Sequence, residues 1–444
     1  MNLADFARIT RDLALRAMRH PVAFLALVNA ACAILGLAQF AVALALLAPP
    51  EFAVIGVLAA TGSVVANLVD LRLPDLATRL YLGLAKSELE QRRAILSAGL
   101  RIHATLALLI MVLGTAAMTW LAPSLLQKRV APTWIVCMAL VVGAQYITGL
   151  LGSYLRLLGQ FTASGWLRLA TTGAGVALML AVLMRYPDLD GYYTAQALAT
   201  AIALAAALFV TERHTRAVLG KSLLAPPTRQ ALASYNSARE FLAAGSLLGF
   251  AKILTRSGDM LLVAALTSDQ VAGSYRVARQ ASDSLFGLSD AVHQFYHPTI
   301  VAALARNDQA AFRAARLRLV VLGTLAGLAA VSGALIVLDP LVGALLPRHH
   351  PAVTSFAVLA GLLAVTIGIQ GWLWPALVAH RRIGIFGCLS LAAGIVQMTA
   401  ILLLSRLGWL DPTTAAATAW LAAAVTYSWF LVELIGGRLQ GRAS

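Results

Sequence analysis

Long apolar runs alternate with short polar connections along this chain, and nearly every run is long enough to cross a bilayer. A membrane span takes roughly 20 apolar residues at a rise of ~1.5 Å each. Twelve segments fit that description: 21–47, 52–69, 95–121, 132–155, 164–184, 192–210, 239–267, 271–304, 317–346, 352–379, 383–404 and 413–435. Hydrocarbon cannot satisfy a bare peptide group, so segments of this kind are helices. The pattern therefore predicts an all-α polytopic membrane protein of about twelve transmembrane helices.

The chain also repeats itself weakly at an offset of about 219 residues. LAPPEFAVIGV at 47–57 aligns with LTSDQVAGSYR at 266–276, LAP at 121–123 with LDP at 338–340, and LDGYYTA at 189–195 with LDPTTAA at 410–416. Six helices per repeat is an even number, so both halves enter the membrane the same way round and form two parallel six-helix bundles around a central cavity. The expected division is an interfacial arm over 1–20, a first bundle over 21–214, a linker over 215–237, a second bundle over 238–437 and a tail over 438–444. The polar stretch 212–240, with Lys221, Pro226, Pro227 and Arg229, marks the linker.

Composition reinforces the picture: 60% of the 444 residues are hydrophobic and only 12% charged, far too little polar surface to coat a water-soluble globule of this size. The net charge of +15 raises nucleic acid as a partner, but the basic residues are sorted by loop, which is a topology signal instead. With the N-terminus inside, 25 of the 34 Lys and Arg fall in the arm, the even-numbered connections and the tail, against five in the outer connections. Both termini are thus expected in the cytoplasm, with membrane lipids as surroundings. Cys32, Cys137 and Cys388 lack metal-ligand spacing and read as small buried hydrophobes. The first apolar run is too long for a signal-peptide core and reads as a retained helix. In the arm before it, Asp5, Arg8, Asp12, Arg16 and Arg19 share one helical face, which fits either an interfacial helix or a plain topogenic arm.

Candidate chemistry concentrates where the second half begins. Lys252, Arg256 and Asp259 fall within an arc of about 60° on the seventh helix, and Arg276, Arg279, Asp283, Asp290, Gln294 and His297 do the same on the eighth, with His293 at the edge. A charge at mid-bilayer costs about 2.5–3.5 kcal/mol, so such a stripe turns toward an interior crevice. Lys252, Arg256, Arg276 and Arg279 are candidate substrate-binding residues for an anion, arginine offering bidentate phosphate contact and lysine a point charge. Asp259, Asp283, Asp290 and His293 are candidates for charge pairing or ion coupling. The competing explanation is that Arg256 with Asp259, and Arg279 with Asp283, are helix-stapling pairs, which leaves Lys252 and Arg276 unexplained. Asn67, Asp70, Arg72, Arg101 and His103 read as positions at the cytoplasmic rim, and the adjacent His349 and His350 as exposed loop residues. No P-loop, H-E-x-x-H or nucleophile–base–acid set is present, and no metal or cofactor is called for.

LAPPEF leading into the second helix, DLRLPDLATR at 70–79, and TRSGDMLLVAALTSDQVAGSYRVA at 255–278, with its Arg-x-x-Asp followed by Gly-x-Tyr, carry a resemblance over nearly the whole chain. The chain resembles the Wzx-type polysaccharide flippases of the multidrug/oligosaccharidyl-lipid/polysaccharide exporter superfamily. That resemblance implies a non-enzymatic transporter that moves an undecaprenyl-pyrophosphate-linked oligosaccharide across a bacterial inner membrane by alternating access, for surface polysaccharide or O-antigen (lipopolysaccharide) assembly. It further implies the lipid-linked glycan, and with it a polysaccharide polymerase and a chain-length regulator, as partners. Two alternatives stay open: a cation-coupled multidrug/toxin antiporter of the same superfamily, and a membrane polymerase or ligase of the glycan pathway. The first helix, 21–47, has no ionisable residue, whereas drug-exporting relatives usually carry an acid there.

Overall fold

The computed structural model describes residues 21–435 apart from 71–72, 83, 86, 237–248, 307, 374–375 and 377–382; the predicted arm and tail fall outside the described residues. Helix is the only regular structure among them. In chain order the helices are α1 Pro21–Leu46, α2 Pro49–Val69, α3 Leu73–Leu82, α4 Leu89–Leu126, α5 Pro132–Leu157, α6 Phe161–Arg185, α7 Leu189–Leu219 and α8 Arg229–Asn236. After these come a π-helical turn Leu254–Gly258 running into α9 Asp259–Leu266, α10 Asp269–Ala305, and α11 Gln309–Ser332, continued by a second π turn Gly333–Leu338 into α12 Asp339–Leu345. α13 Pro351–Val365, a third π turn Thr366–Gln370, α14 Ile383–Arg406 and α15 Pro412–Ile435 complete the chain. Among the described residues, nine helices are long and apolar enough to cross a membrane. The stretch ending in α9, together with α10 and α15, brings the bundle to about twelve spans.

Local signals set the ends. Proline opens α2, α5, α13 and α15, where its missing N–H costs nothing. The Glu51 carboxylate accepts the Ala48 N–H at 2.6 Å in the first turn of α2, and Asp188 and Asp308 cap α7 and α11 through the N–H groups of Gly191 and Ala311. Large apolar side chains such as Leu108, Val112 and Trp120 on α4, and Leu317, Leu325 and Leu328 on α11, stand exposed. A surface of that kind suits lipid and no other solvent. This is a multi-pass membrane protein.

Two groups of helices meet along α10. On one side it packs against α1 and α2, and on the other against α11 and α13. Close packing at this seam uses glycine: a Cβ on Gly273 would overlap the Pro49 carbonyl oxygen at the start of α2, and one on Gly56 would strike Met260 and Arg276. Gly273 is the glycine of the Gly-x-Tyr pattern, so its identity follows from helix contact.

α7 runs five residues past the expected boundary at 214, held by the i,i+4 pair Glu212–Arg216 and ended by Gly220 in the left-handed conformation. The chain that follows is strapped to α4. Buried Arg93 donates to the carbonyl oxygens of Ala225 and Pro226 at 3.1 Å each, Ser97 Oγ donates to Ala225, and Tyr235 of α8 donates to the Ile95 carbonyl.

The end of the bundle poor in Lys and Arg is closed. His349, expected to be exposed, is 3% exposed: the turn after α12 folds inward, its ring packs edge-on against Phe52, and its Nε2 lies 3.1 Å from the Leu47 carbonyl oxygen. Its neighbour His350 is the exposed one, 3.2 Å from Asp339. Lys128 and Asp269 add an ion pair at 2.5 Å across the same end. Burial holds His349 below the ordinary histidine range, with Arg348 adding to the effect and the Leu47 and Leu44 carbonyls opposing it. Closure therefore favours the neutral ring, and its contribution is complete above the ordinary histidine pKa and fades as pH falls toward the depressed one. Hydrogen exchange over residues 47–52, corrected for intrinsic rate, should quicken between about pH 7 and pH 5, where histidine titrates. The acceleration should vanish in His349→Gln, and an equal pH response in both proteins rejects the latch.

Candidate functional site

α2, α5, α7, the stretch leading into α9, α10, α13, α14 and α15 surround a cavity of about 830 Å³, within the ~300–1,000 Å³ typical of ligand-holding cavities. Its charged lining among the described residues is Lys252, Arg276, Arg279 and Asp283. The 3.6-residue repeat of α10 brings Arg276, Arg279, Gln280 and Asp283 onto this one wall, followed by Phe286 and Ser289. The predicted polar stripe is present over its described part. The side chains of Arg256, Asp290, His293, Gln294 and His297 lie outside the described residues.

The three described cations are not equivalent. Arg279, 12% exposed, donates from Nη1 to Asp259 Oδ2 at 2.9 Å, and its Nε lies 3.7 Å from Asp283 Oδ1. Asp259 is completely buried, and its Oδ2 also accepts the Tyr275 hydroxyl at 2.7 Å. Arg279, which also lines the cavity, is therefore neutralised by two carboxylates. Arg276 differs: its Nη2 donates to the neutral Gln280 Oε1 at 2.5 Å, and no carboxylate among the described residues lies within ion-pair distance. With Asp259 counted, the described site carries more positive than negative charge.

Asp259 departs from the predicted arc for a backbone reason. The π turn Leu254–Gly258 advances less than 100° per residue, so the helix face rotates between Lys252 and Asp259. Lys252 and Ser257 line the cavity while Asp259 points between α9 and α10 to Tyr275 and Arg279. The aspartate of Arg-x-x-Asp and the tyrosine of Gly-x-Tyr are thus joined by one hydrogen bond. The third π turn, Thr366–Gln370, also borders the cavity through Thr366 and Gln370.

Neutral polar groups complete the lining, and sequence reasoning missed most of them. Ser63, Gln145, Gln196, Gln370 and Gln397 come from five different spans, so no single stretch signals their convergence. Asn67, read as a rim residue, also lines the cavity. His103 is 1% exposed and stacked on Tyr146 with ring centroids 3.7 Å apart, while Arg101 stays exposed and reaches the Leu224 carbonyl. Of the three cysteines only Cys32 is buried; Cys137 is intermediate and Cys388 exposed, in keeping with a lipid-covered surface. No group of three or more metal-ligating side chains occurs among the described residues.

A second cavity, of about 580 Å³ and almost wholly apolar, lies on the other side of α10, walled by α1, α11 and α13. Val277, Ala278, Ala281 and Leu285 face it. One helix thus separates a charged chamber from a greasy one.

No family model matches the chain, and no curated protein matches it either. Solved structures do. The inward-facing conformation of a multidrug resistance MATE family transporter of the MOP superfamily superposes with a TM-score of 0.62 at 13% identity, covering 94% of this chain and 100% of that one. A MOP superfamily transporter from Pyrococcus furiosus, described as having a binding pocket of reverse polarity that suggests a different function, gives 0.63 at 13%, covering 97% and 99%. A Vibrio cholerae MATE transporter gives 0.62 at 12%, covering 97% and 99%. The chain has the MATE-like transporter fold. In this fold the α10 wall, the two cavities and the closed end sit in one assembly of about twelve helices.

Proposed function

We propose that this protein is an alternating-access membrane transporter whose substrate is an anionic amphiphile, and that Arg276 makes the decisive contact with the anionic group. The observation that carries the reading is a cavity-lining guanidinium held by an amide instead of a carboxylate. At membrane depth a charge of that kind calls for a counter-ion, and a phosphate-type ligand supplies one. The apolar chamber behind α10 supports the amphiphilic half of the proposal, because a lipid tail could lie there while the head group occupies the charged side. A polyprenyl-pyrophosphate-linked oligosaccharide is the member of this class that the sequence resemblance implies, and inside-positive charge sorting would set the membrane orientation, with the closed end outward. An inside-negative potential favours outward movement of negative charge by about 2.3 kcal/mol per charge per 100 mV.

The second reading, a cation-coupled multidrug antiporter, is the one the names of the structural neighbours favour. Asp283, 54% exposed beside the cavity, is the group that would serve it. Proteoliposomes separate the two. Arg276→Ala should slow transport of labelled lipid-linked oligosaccharide about 10- to 100-fold, the loss of charge-assisted bonds of ~1.5–3 kcal/mol, with Arg276→Lys intermediate. Unchanged glycan transport in the alanine variant removes the anion reading, and uptake of a cationic dye blocked by Asp283→Asn installs the antiporter in its place.

A further inference from the structure

The cavity has a second wall whose chemistry differs from that of α10. There α13 with its π turn, α14 and α15 contribute Gln370, Ser390, Gln397, Thr426 and Tyr427 to the lining and, among the described residues, no charged side chain. α15 packs against both α13 and α14, so this wall is continuous, and α10 packs against α13 and α15, so it adjoins the charged one. On α14, Ser390, Ala393 and Gln397 recur at helical spacing, and the face they form follows the cavity for about 10 Å. The remaining lining from α14 and α15 is alanine, at 393, 419, 422 and 423, which leaves room for a ring to lie against the wall.

Many polar groups of the lining are already used within the protein. Asn67 donates to the Ser63 carbonyl, Gln196 reaches the Tyr192 hydroxyl, Gln280 accepts from Arg276, and Thr426 donates to the Ala422 carbonyl. Gln370 and Gln397 are not used in this way: neither amide makes a hydrogen bond among the described residues. Gln397 is the sharper case, because it is only 1% exposed and its Nε2 is buried without a partner. A buried amide left unpaired is destabilising, and at a cavity wall the group that pairs with it is a ligand. Each amide carries donors and an acceptor in one plane. Neighbouring hydroxyls on a sugar ring complement that pattern without charge, whereas a cationic group finds no carboxylate on this wall among the described residues.

We propose that the wall formed by α13, α14 and α15 is a subsite for a neutral sugar, with Gln397 and Gln370 bonding its hydroxyls while Arg276 on α10 holds the anionic group of the same ligand. The glutamines then decide which glycan is accepted, and the arginine requires that it carry an anion. The part this wall plays in transport rests on the anionic-amphiphile reading above; its affinity for a sugar does not.

The test uses full-length protein in phosphatidylcholine nanodiscs and ligands that share an octyl tail: octyl glucoside, octyl maltoside and octyl N-acetylglucosaminide as neutral sugars, and octyl phosphate as the anion. Native mass spectrometry reads the fraction of protein that retains each one. Gln397→Leu and Gln370→Leu should each weaken the best-retained glycoside about 3- to 10-fold, the loss of a neutral hydrogen bond, and leave octyl phosphate unchanged. Arg276→Ala should show the reverse pattern, losing octyl phosphate and keeping the glycoside. Unchanged or higher melting of the leucine variants excludes misfolding, and where Gln397→Leu melts lower, Gln397→Met carries the same comparison. The proposal is overturned if the unaltered protein retains none of the three glycosides, if the glutamine variants retain them normally, or if those variants lose octyl phosphate equally. Full retention of octyl phosphate by Arg276→Ala would remove the function proposed above, while glycoside loss confined to the glutamine variants would leave the sugar wall standing.

Discussion

Asp259→Ala should be the most destabilising single substitution in the cavity wall, lowering stability by about 3–5 kcal/mol, the cost of removing one partner from a buried ion pair. The carboxylate is completely buried and serves two donors at once, Tyr275 at 2.7 Å and Arg279 at 2.9 Å. Its loss takes the acceptor from a buried hydroxyl and the nearer carboxylate from Arg279, Asp283 lying 3.7 Å away and half exposed. Thermal unfolding in detergent should shift downward by several degrees and transport should cease. Asp283→Asn provides the contrast: a loose, exposed pair contributes less than about 1 kcal/mol, so that protein should melt almost normally. Equal melting of the two variants would mean that the Asp259–Tyr275–Arg279 cluster does not hold α9 to α10.

The second large effect is expected at Gly273. A Cβ there collides with the Pro49 carbonyl oxygen and carbon, which are backbone atoms at the first turn of α2 and cannot rotate away. Gly273→Val therefore has to part α10 from α2 at the closed end, carrying the Leu47–His349 contact with it. Overpacking typically costs about 1–3 kcal/mol, which moves a two-state equilibrium roughly 5- to 150-fold toward the open form. Spin labels on the α1–α2 connection and on the turn after α12 should report a longer mean separation, and transport should stall because the protein no longer closes. An unchanged distance distribution would show that the seam is not the gate. Gly149→Ala is the matched control: nothing lies within 4 Å of its added Cβ.

These effects turn on contacts of unequal legibility. The Gly-x-Tyr and Arg-x-x-Asp patterns flagged the right segment, yet the partners that explain them, Pro49 for Gly273 and Asp259 for Tyr275, come from other helices. The stripe on α10 was readable because that helix keeps a regular 3.6-residue repeat through Arg276, Arg279 and Asp283. The same arithmetic failed seventeen residues earlier, where a π turn rotates Asp259 away from Lys252. His349 was misread because a polar loop residue beside proline is ordinarily solvated, and only the folded turn takes it to Phe52 and Leu47.

The sequence by itself determined the all-helical class, a count of about twelve spans and the helix that bears charge. In hydrocarbon each segment must satisfy its own backbone, so local composition is sufficient to specify it. Tertiary structure alone decided which cations are neutralised and which are available. Whether a guanidinium meets a carboxylate, an amide or open space depends on side chains brought together from separate helices. Arg276 against Gln280 and Arg279 against Asp259 are identical residues given different charge environments by packing.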